Sequence, residues 1–250
     1  MKSPKLDLSI IIPAFNEEGR LPKTLDAVIA YAQSRPYQTE IMVVNDGSSD
    51  RTAEIVSAYC QTYPALRLVS NGGNRGKGYS VRHGMLEAAG EIALFSDADL
   101  STPVEEADKL LAAIRDQNFD AAIGSRAIDR NMIQVHQSAV REMAGIFFNR
   151  MVQWILDIQF SDTQCGFKAF RRERALIVFE QQRIERFGFD PEILYLAKRH
   201  GLRVAEIPVR WSHDAATKVN VAADGLLMFL ELILIRWNAI RGFYPASPKS

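Results

Sequence analysis

Ile92-Ala93-Leu94-Phe95-Ser96-Asp97-Ala98-Asp99-Leu100-Ser101 is the stretch whose reading decides the fold. Its apolar first half reads as a buried strand, and Asp97 and Asp99 arrive where the apolar run stops, so two carboxylates cap the strand's carboxyl end. Side chains two apart on extended backbone point the same way. Like charges held side by side are unfavourable unless a cation lies between them or one is protonated, and an all-oxygen pair suits Mg²⁺ or Mn²⁺ better than Zn²⁺. A hard metal in turn implies a phosphate nearby. Read alone, the tripeptide is more often a solvated Asp-Ala-Asp turn. Its neighbours decide between the two.

Working outward, Leu8 to Ile12, Glu40 to Val44, Leu66 to Val69 and Asp120 to Gly124 are further short apolar runs. They read as strands, and Leu8 to Ile12, ended by Pro13, fits one buried on both faces. Between them, apolar residues at helical spacing (Leu21, Leu25, Val28, Ile29, Ala32) predict a helix that ends before Pro36. Gly47 permits a tight turn, and Ser49 or Asp50 can cap a helix beginning near Arg51. Strand, loop and helix recur roughly every 30 residues, a rhythm that predicts right-handed βαβ units in an α/β fold. The expected architecture is a largely parallel central sheet, Rossmann-like, with helices on both faces. Ligands collect outside the carboxyl ends of such strands, where the loops at Asn16, Asp46, Lys77 and Asp97 all lie.

From Ser125 to about Ser138 the rhythm lapses into a polar stretch long enough to be a mobile loop. A helix through Phe147, Trp154 and Ile158 follows, then a loop from Ser161 to Lys168, a helix through Pro191 to Leu196, and a run at Val204 to Val209 whose Pro208 predicts an edge strand. The apolar tail Gly225 to Ile235 would span only about 16 Å as a helix, too short to cross a bilayer, and Glu231 interrupts it. It is either a core helix or an interfacial one, with Trp237 and the arginines at headgroup level and the Trp154 helix beside it. The domain division this predicts is a catalytic domain over residues 6–215 and an amphipathic helix over 216–245.

Composition bounds the function. The chain has 250 residues, 47% of them hydrophobic, with 30 basic residues against 30 acidic, so no global field draws it to nucleic acid. Cys60 and Cys165 lie far apart with no metal spacing, which predicts reduced thiols in a cytosolic compartment. The opening residues lack a long apolar core and a cleavage pattern, so secretion by a signal peptide is not expected. A P-loop is excluded because Gly72 lies four rather than five residues before Gly76, and no GxGxxG follows the first strand.

Pro13-Ala14-Phe15-Asn16-Glu17, Asn45-Asp46-Gly47-Ser48-Ser49-Asp50, Asn74-Arg75-Gly76-Lys77-Gly78 and Asp97-Ala98-Asp99, in this order, resemble the nucleotide-sugar half of family-two inverting glycosyltransferases of the GT-A fold. Gly124-Ser125-Arg126 and Asp162-Thr163-Gln164-Cys165-Gly166-Phe167-Lys168 resemble the branch acting on polyprenyl phosphates, the dolichyl-phosphate glucosyltransferases and mannose synthases. The resemblance implies that Pro13, Ala14, Glu17 and Asp46 bind the nucleoside, and that Gly76 and Lys77 line its pocket beside the diphosphate. Carboxylates accept from a base N–H or ribose hydroxyls, and Lys77 supplies a point charge. Helix capping is the alternative for Glu17 and Asp46. Asp99 would be the main metal ligand, with Asp97 on the ribose or close to the ion. Ser101 stands where a variant of the family has glutamine.

Arg126 and Arg141 match the arginines expected to hold the acceptor's phosphate, a task that suits a bidentate guanidinium. For Arg141 the alternative is a helix-surface ion pair. Asp162 stands where relatives attacking with a hydroxyl keep their base, and Gln164 shares its loop. Lys168 is equally a structural residue; His213 and Lys218 would close over the diphosphate. His83, His136 and His200 show no ligand spacing. A phosphate monoester has a second pKa near ~6 and is already an anionic nucleophile at neutral pH, so Asp162 would then orient rather than deprotonate. The expected donor is UDP-glucose, with GDP-mannose second. The expected acceptor is a polyprenyl phosphate reached by peripheral contact with the cytosolic face of a membrane. The alternatives are transfer to a glycan hydroxyl and a nucleotide-sugar-binding protein without turnover.

Overall fold

The computed structural model describes residues 6–135, 138–213 and 221–245. Its first half runs β1 (Leu8–Ala14), α1 (Leu21–Ser34), β2 (Thr39–Asn45), α2 (Thr52–Thr62), β3 (Leu66–Ser70), α3 (Lys77–Glu87), β4 (Ile92–Ser96), α4 (Ala107–Arg115) and β5 (Ala121–Ser125). The second half runs β6 (Ile133–Val135), α5 (Ala139–Leu156), β7 (Phe167–Arg171), α6 (Arg172–Gln181), α7 (Phe189–Arg199), β8 (Val204–Pro208), β9 (Trp211–Ser212) and α8 (Val221–Ile240).

Seven strands form one sheet in the order β3-β2-β1-β4-β7-β5-β8. Every neighbouring pair is parallel except those of β7, which lies antiparallel to both β4 and β5. Every residue of β2, β4 and β5 is buried, which is why these strands read as continuous apolar runs. Alternate side chains feed two cores. Ile10, Ile12 and Leu94 pack toward α1 and α4, while Ile11, Phe95 and Phe170 pack with Val81, Phe179, Phe189 and Ile193 on the opposite face. β8, with Pro208, is an edge strand as expected.

Two expectations need correction. The stretch Ser161 to Lys168 is not loop throughout: Phe167 opens β7, and the helix after it, α6, is absent from the sequence reading. The polar lapse after Ser125 is partly ordered, with a 3₁₀ turn at Arg130–Met132 and β6 paired to β9. The pairing of β6, Ile133 with Trp211 and Val135 with Ser212, is supplied by residues nearly eighty positions later, so nothing local signals it.

The core alternative holds for part of the tail. Leu232, Ile235 and, beyond the helix, Tyr244 join the second core, while other apolar side chains of α8 face outward. Leu226, Leu230, Trp237 and Ile240 are exposed there. α5 packs against α8 and adds exposed Met143, Phe147 and Trp154, the last at 86%. Among the described residues, no helix is long and apolar enough to cross a membrane.

Candidate active site

The carboxyl ends of β1, β2 and β4 adjoin in the sheet, and the loops that leave them interlock. Asp46, just past β2, donates its N–H to the Ala14 carbonyl at 2.9 Å. Its buried carboxylate accepts from Asn71 Nδ2 at 2.8 Å, Arg75 N at 2.9 Å and Gly76 N at 2.8 Å, and so folds the 71–76 loop over the rim. The turn needs glycine: Gly76 has φ +107°, and a Cβ there would stand 2.4 Å from the Glu185 carbonyl oxygen. Asn16 and Glu17 are laced to the next loop, with Asn16 N donating to Ser48 Oγ at 2.9 Å and Glu17 N to Thr52 Oγ1 at 2.8 Å. The Glu17 carboxylate forms a two-pronged pair with Arg20, at 2.7 and 2.8 Å. Pro13 and Ala14 end β1 beside this lattice, Ala14 buried and Pro13 partly open.

Lys77, the first residue of α3, reaches from that loop to Asp97, with Nζ 2.5 Å from Oδ1. Burial alone would lower its pKa, but Asp97 and Asp190, with Asp99 beyond, outweigh burial and hold the ammonium above its usual range. Asp97 can occupy this place only because Gly166 faces it: a Cβ on Gly166 would come within 2.2 Å of Asp97 Oδ2. Asp99 Oδ1 accepts from Ser101 N at 2.9 Å. Its carboxyl is pushed upward, first by burial and then by the Asp97 charge, against the opposing Ser101 N–H and Lys77.

Burial is the larger cause and the neighbouring carboxylate the smaller, and a cation beside the pair would offset both. Among the described residues, no group of three or more His, Cys, Asp or Glu could hold an ion by itself. Asp97 and Asp99 offer only carboxylate oxygens, a donor set that fits a hard ion taking one or two carboxylates from the protein and its remaining ligands from phosphate and water, as Mg²⁺ and Mn²⁺ do.

The second group of residues lies past β5. Arg126 Nε and Nη2 meet Asp162 Oδ2 and Oδ1 at 2.6 and 2.8 Å, and Arg126 N adds a third bond at 3.0 Å. Gln164 N donates to the same carboxylate at 3.1 Å. Burial would raise the pKa of Asp162, but Arg126 overrides burial and brings it down to about 2. The Arg126 guanidinium also lies 5.3 Å above the Trp211 ring on β9, and Trp211 stacks with His213 at 6.0 Å.

Two residues fix the Asp162 loop. Glu206 on β8 accepts from Ser161 N at 2.9 Å and Asp162 N at 2.8 Å, while Asn149 on α5 binds the Phe160 and Ser161 carbonyls and accepts from Thr163. Arg141 sits in the first turn of α5, its N–H on Ser138 Oγ at 3.4 Å, about 12 Å along the helix from Asn149.

Sequence residues 9–176 match the profile of Glycosyl transferase family 2. The chain belongs to that family. It is 36% identical over 241 residues to a dolichyl-phosphate beta-glucosyltransferase of Trichomonas vaginalis, covering 93% of this chain and 73% of the relative. To the dolichyl-phosphate beta-glucosyltransferase of Homo sapiens it is 34% identical over 253 residues, covering 96% and 78%. Among solved structures it is similar to glucosyl-3-phosphoglycerate synthase from Mycobacterium tuberculosis in complex with UDP, with TM-score 0.65 at 18% identity over 98% of this chain and 82% of that one. It is also similar to the mannosyltransferase PcManGT from Pyrobaculum calidifontis in complex with GDP-Man and Mn²⁺, with TM-score 0.62 at 20% identity over 99% and 66%. These two likenesses show the GT-A architecture.

Several residues of this family 2 site were invisible to sequence reasoning. Asp190 is one: it lies buried beside Lys77 and Lys168, and its only sequence signal is an acid just before a proline at a helix start. Lys168 is wholly buried, with Nζ on the Cys165 carbonyl at 2.6 Å and on Asp190, so of its two readings the structural one holds. Glu206, Asn149 and Gly166 act on the site through backbone and packing, which no motif records. His83 and His200 make ordinary side-chain hydrogen bonds, to Asn71 and Gln181. His136 and Lys218 lie outside the described residues.

Proposed function

We propose that the protein transfers a hexose, glucose in the first instance, from a nucleotide sugar to a polyprenyl phosphate, with inversion at the sugar carbon, at the cytosolic face of a membrane. One observation carries the choice of acceptor. The carboxylate in the position of a general base has both oxygens engaged by Arg126, through Nε, Nη2 and the backbone N–H, and that guanidinium holds its pKa below the usual carboxylate range, which disfavours proton abstraction from a hydroxyl. A nucleophile that brings its own negative charge needs no such base, and a phosphate monoester is one. The relatives' names point to the same acceptor class.

In this reading the donor's nucleoside lies against Pro13, Ala14, Glu17 and Asp46, and its diphosphate lies along Gly76 and Lys77 toward Asp97 and Asp99. A Mg²⁺ or Mn²⁺ ion held by Asp99 and Asp97 supplies neutralisation of the charge that grows on the diphosphate. Lys77 adds a fixed ammonium beside it. Arg126, whose Nε and Nη2 face Asp162, offers Nη1 to the acceptor phosphate, with Arg141 as the second cation and Gln164 on the sugar side. An acceptor phosphate oxygen forms the new bond to the sugar's anomeric carbon from the side opposite the diphosphate. The old carbon–oxygen bond breaks, and its electron pair leaves on the nucleotide. No proton has to move.

The outward apolar side of α5 and α8 is the membrane contact of this reading. Two adjoining helices present aromatic and aliphatic side chains with Arg150 and Arg236 exposed on them and Arg241 exposed just past α8, as interfacial helices do. The test incubates purified protein and Mg²⁺ with labelled UDP-glucose or GDP-mannose, with and without undecaprenyl phosphate. Label is expected in the lipid phase from UDP-glucose only when the lipid phosphate is present. EDTA is expected to stop the transfer, and added Mg²⁺ or Mn²⁺ to restore it. Label passing to a water-soluble glycan without lipid would overturn the acceptor; label entering lipid from GDP-mannose instead would overturn the donor.

A further inference from the structure

Glu231 is a lone carboxylate in the apolar run of α8, and the proposed chemistry gives it no role. Its side chain turns inward, where Oε2 accepts from Gly188 N at 2.8 Å. The contact is close: a Cβ on Gly188 would stand 2.5 Å from Glu231 Oε2 and 2.8 Å from its Cβ. Burial raises the Glu231 pKa, opposed by the Gly188 N–H and by Arg186. A leucine would fill this position of the helix without that cost.

Gly188 belongs to a segment on which the diphosphate turn rests. On one side of it, the Glu185 carbonyl accepts from Tyr79 N at 3.0 Å and blocks the Cβ position of Gly76. Gln182 Nε2 donates to the Gly78 carbonyl at 2.8 Å. On the other side, Phe189 places its ring 5.9 Å from Lys77 Nζ, and its Cβ lies 2.7 Å from where a Cβ on Gly78 would be. Asp190 follows, one of the charges that keep Lys77 protonated. Residues 182–190 are thus the floor beneath Gly76, Lys77 and Gly78, and Glu231 is the point at which α8 grips that floor.

We propose that Glu231 is a positioning residue for the nucleotide diphosphate: through Gly188 N it fixes the height of residues 185–190, and through them the Gly76–Lys77 turn. The proposal rests on the reading of this rim as the donor site. It makes α8 a helix with two duties, since its outward side is the face assigned to the membrane and its inward carboxylate holds the donor pocket.

The test measures UDP binding with Mg²⁺ by calorimetry on the full chain, without lipid, for wild type, Glu231→Gln, Glu231→Leu and Leu232→Ala. Loss of a hydrogen bond to a charged acceptor is expected to weaken UDP about tenfold in Glu231→Leu. Glu231→Gln keeps an acceptor oxygen and is expected to stay within about twofold. Leu232→Ala, on the same helix but in the core, is expected to lower the melting temperature and leave UDP affinity nearly unchanged. Wild-type affinity in Glu231→Leu, or equal weakening in Glu231→Leu and Leu232→Ala, overturns the proposal. If wild type itself does not bind UDP, the donor-site reading fails separately. Hydrogen exchange then decides on positioning: amides at Gly188 and residues 75–79 are expected to exchange faster in Glu231→Leu, and unchanged rates overturn it.

Discussion

Replacing Asp162 by Asn separates two mechanisms that share every other residue. The structure gives this carboxylate four N–H donors, three of them from Arg126, and a pKa of about 2 against an ordinary 3.8. That depression corresponds to about 2 kcal/mol of preference for the charged form in the fold. Because the folded value is the lower one, the stabilisation is present above about 3.8 and lost as pH falls through about 2. The variant is therefore expected to lose about 2 kcal/mol of unfolding free energy at pH 7, measured by urea denaturation, and little at pH 2. For activity, the assay is kcat/KM for the lipid phosphate between pH 5 and 9. An acid limb near ~6 is expected in wild type from the second ionisation of the acceptor phosphate. The same limb is expected in Asp162→Asn, at a level reduced about 100-fold because Arg126 loses its fixed orientation. Disappearance of the limb in the variant, with a loss of about 10⁴-fold or more, would identify Asp162 as the base and refute the argument from Arg126.

Three further outcomes are expected. Gly166→Ala puts a methyl group 2.2 Å from Asp97 Oδ2, so Asp97 must leave Lys77; kcat/KM is expected to fall about 100-fold with an unchanged circular dichroism spectrum, and full activity would show that the Lys77–Asp97 contact is dispensable. A Phe147→Ser, Trp154→Ser, Leu230→Ser variant changes only exposed side chains, and its binding to anionic vesicles in a sedimentation assay is expected to drop at least tenfold at unaltered melting temperature. Glu192, buried under Tyr244, has its carboxyl raised by burial to about 7 from 4.5, so the stability it contributes is present below 4.5 and lost as pH rises to about 7. Glu192→Gln is expected to flatten the fall of unfolding free energy across that window, by about 3 kcal/mol, and an unchanged slope in urea titrations would assign the effect elsewhere.

The sequence by itself determined the parallel part of the sheet and the rim at which its loops emerge. Strands buried on both faces write themselves as unbroken apolar runs, and β2, β4 and β5 do so because no side chain in them meets water. Loops that follow such strands must emerge at one edge, which is why the loops at Asn16, Asp46, Lys77 and Asp97 could be placed at one rim from the strand rhythm, while the roles of single residues there came only from the family resemblance. Tertiary structure alone decided the insertion of β7. Phe167-Lys168-Ala169-Phe170 carries a lysine that a sequence pattern assigns to a surface, yet Lys168 lies fully buried because Asp190, distant in sequence, balances its charge. The state of Asp162 was equally out of reach. An aspartate two residues before a glutamine reads the same whether or not an arginine pairs with it, and only the return of β5 and β8 to its side brings Arg126 and Glu206 within hydrogen-bond reach. Local periodicity records which faces are buried; it carries no information about which charge is buried next to which.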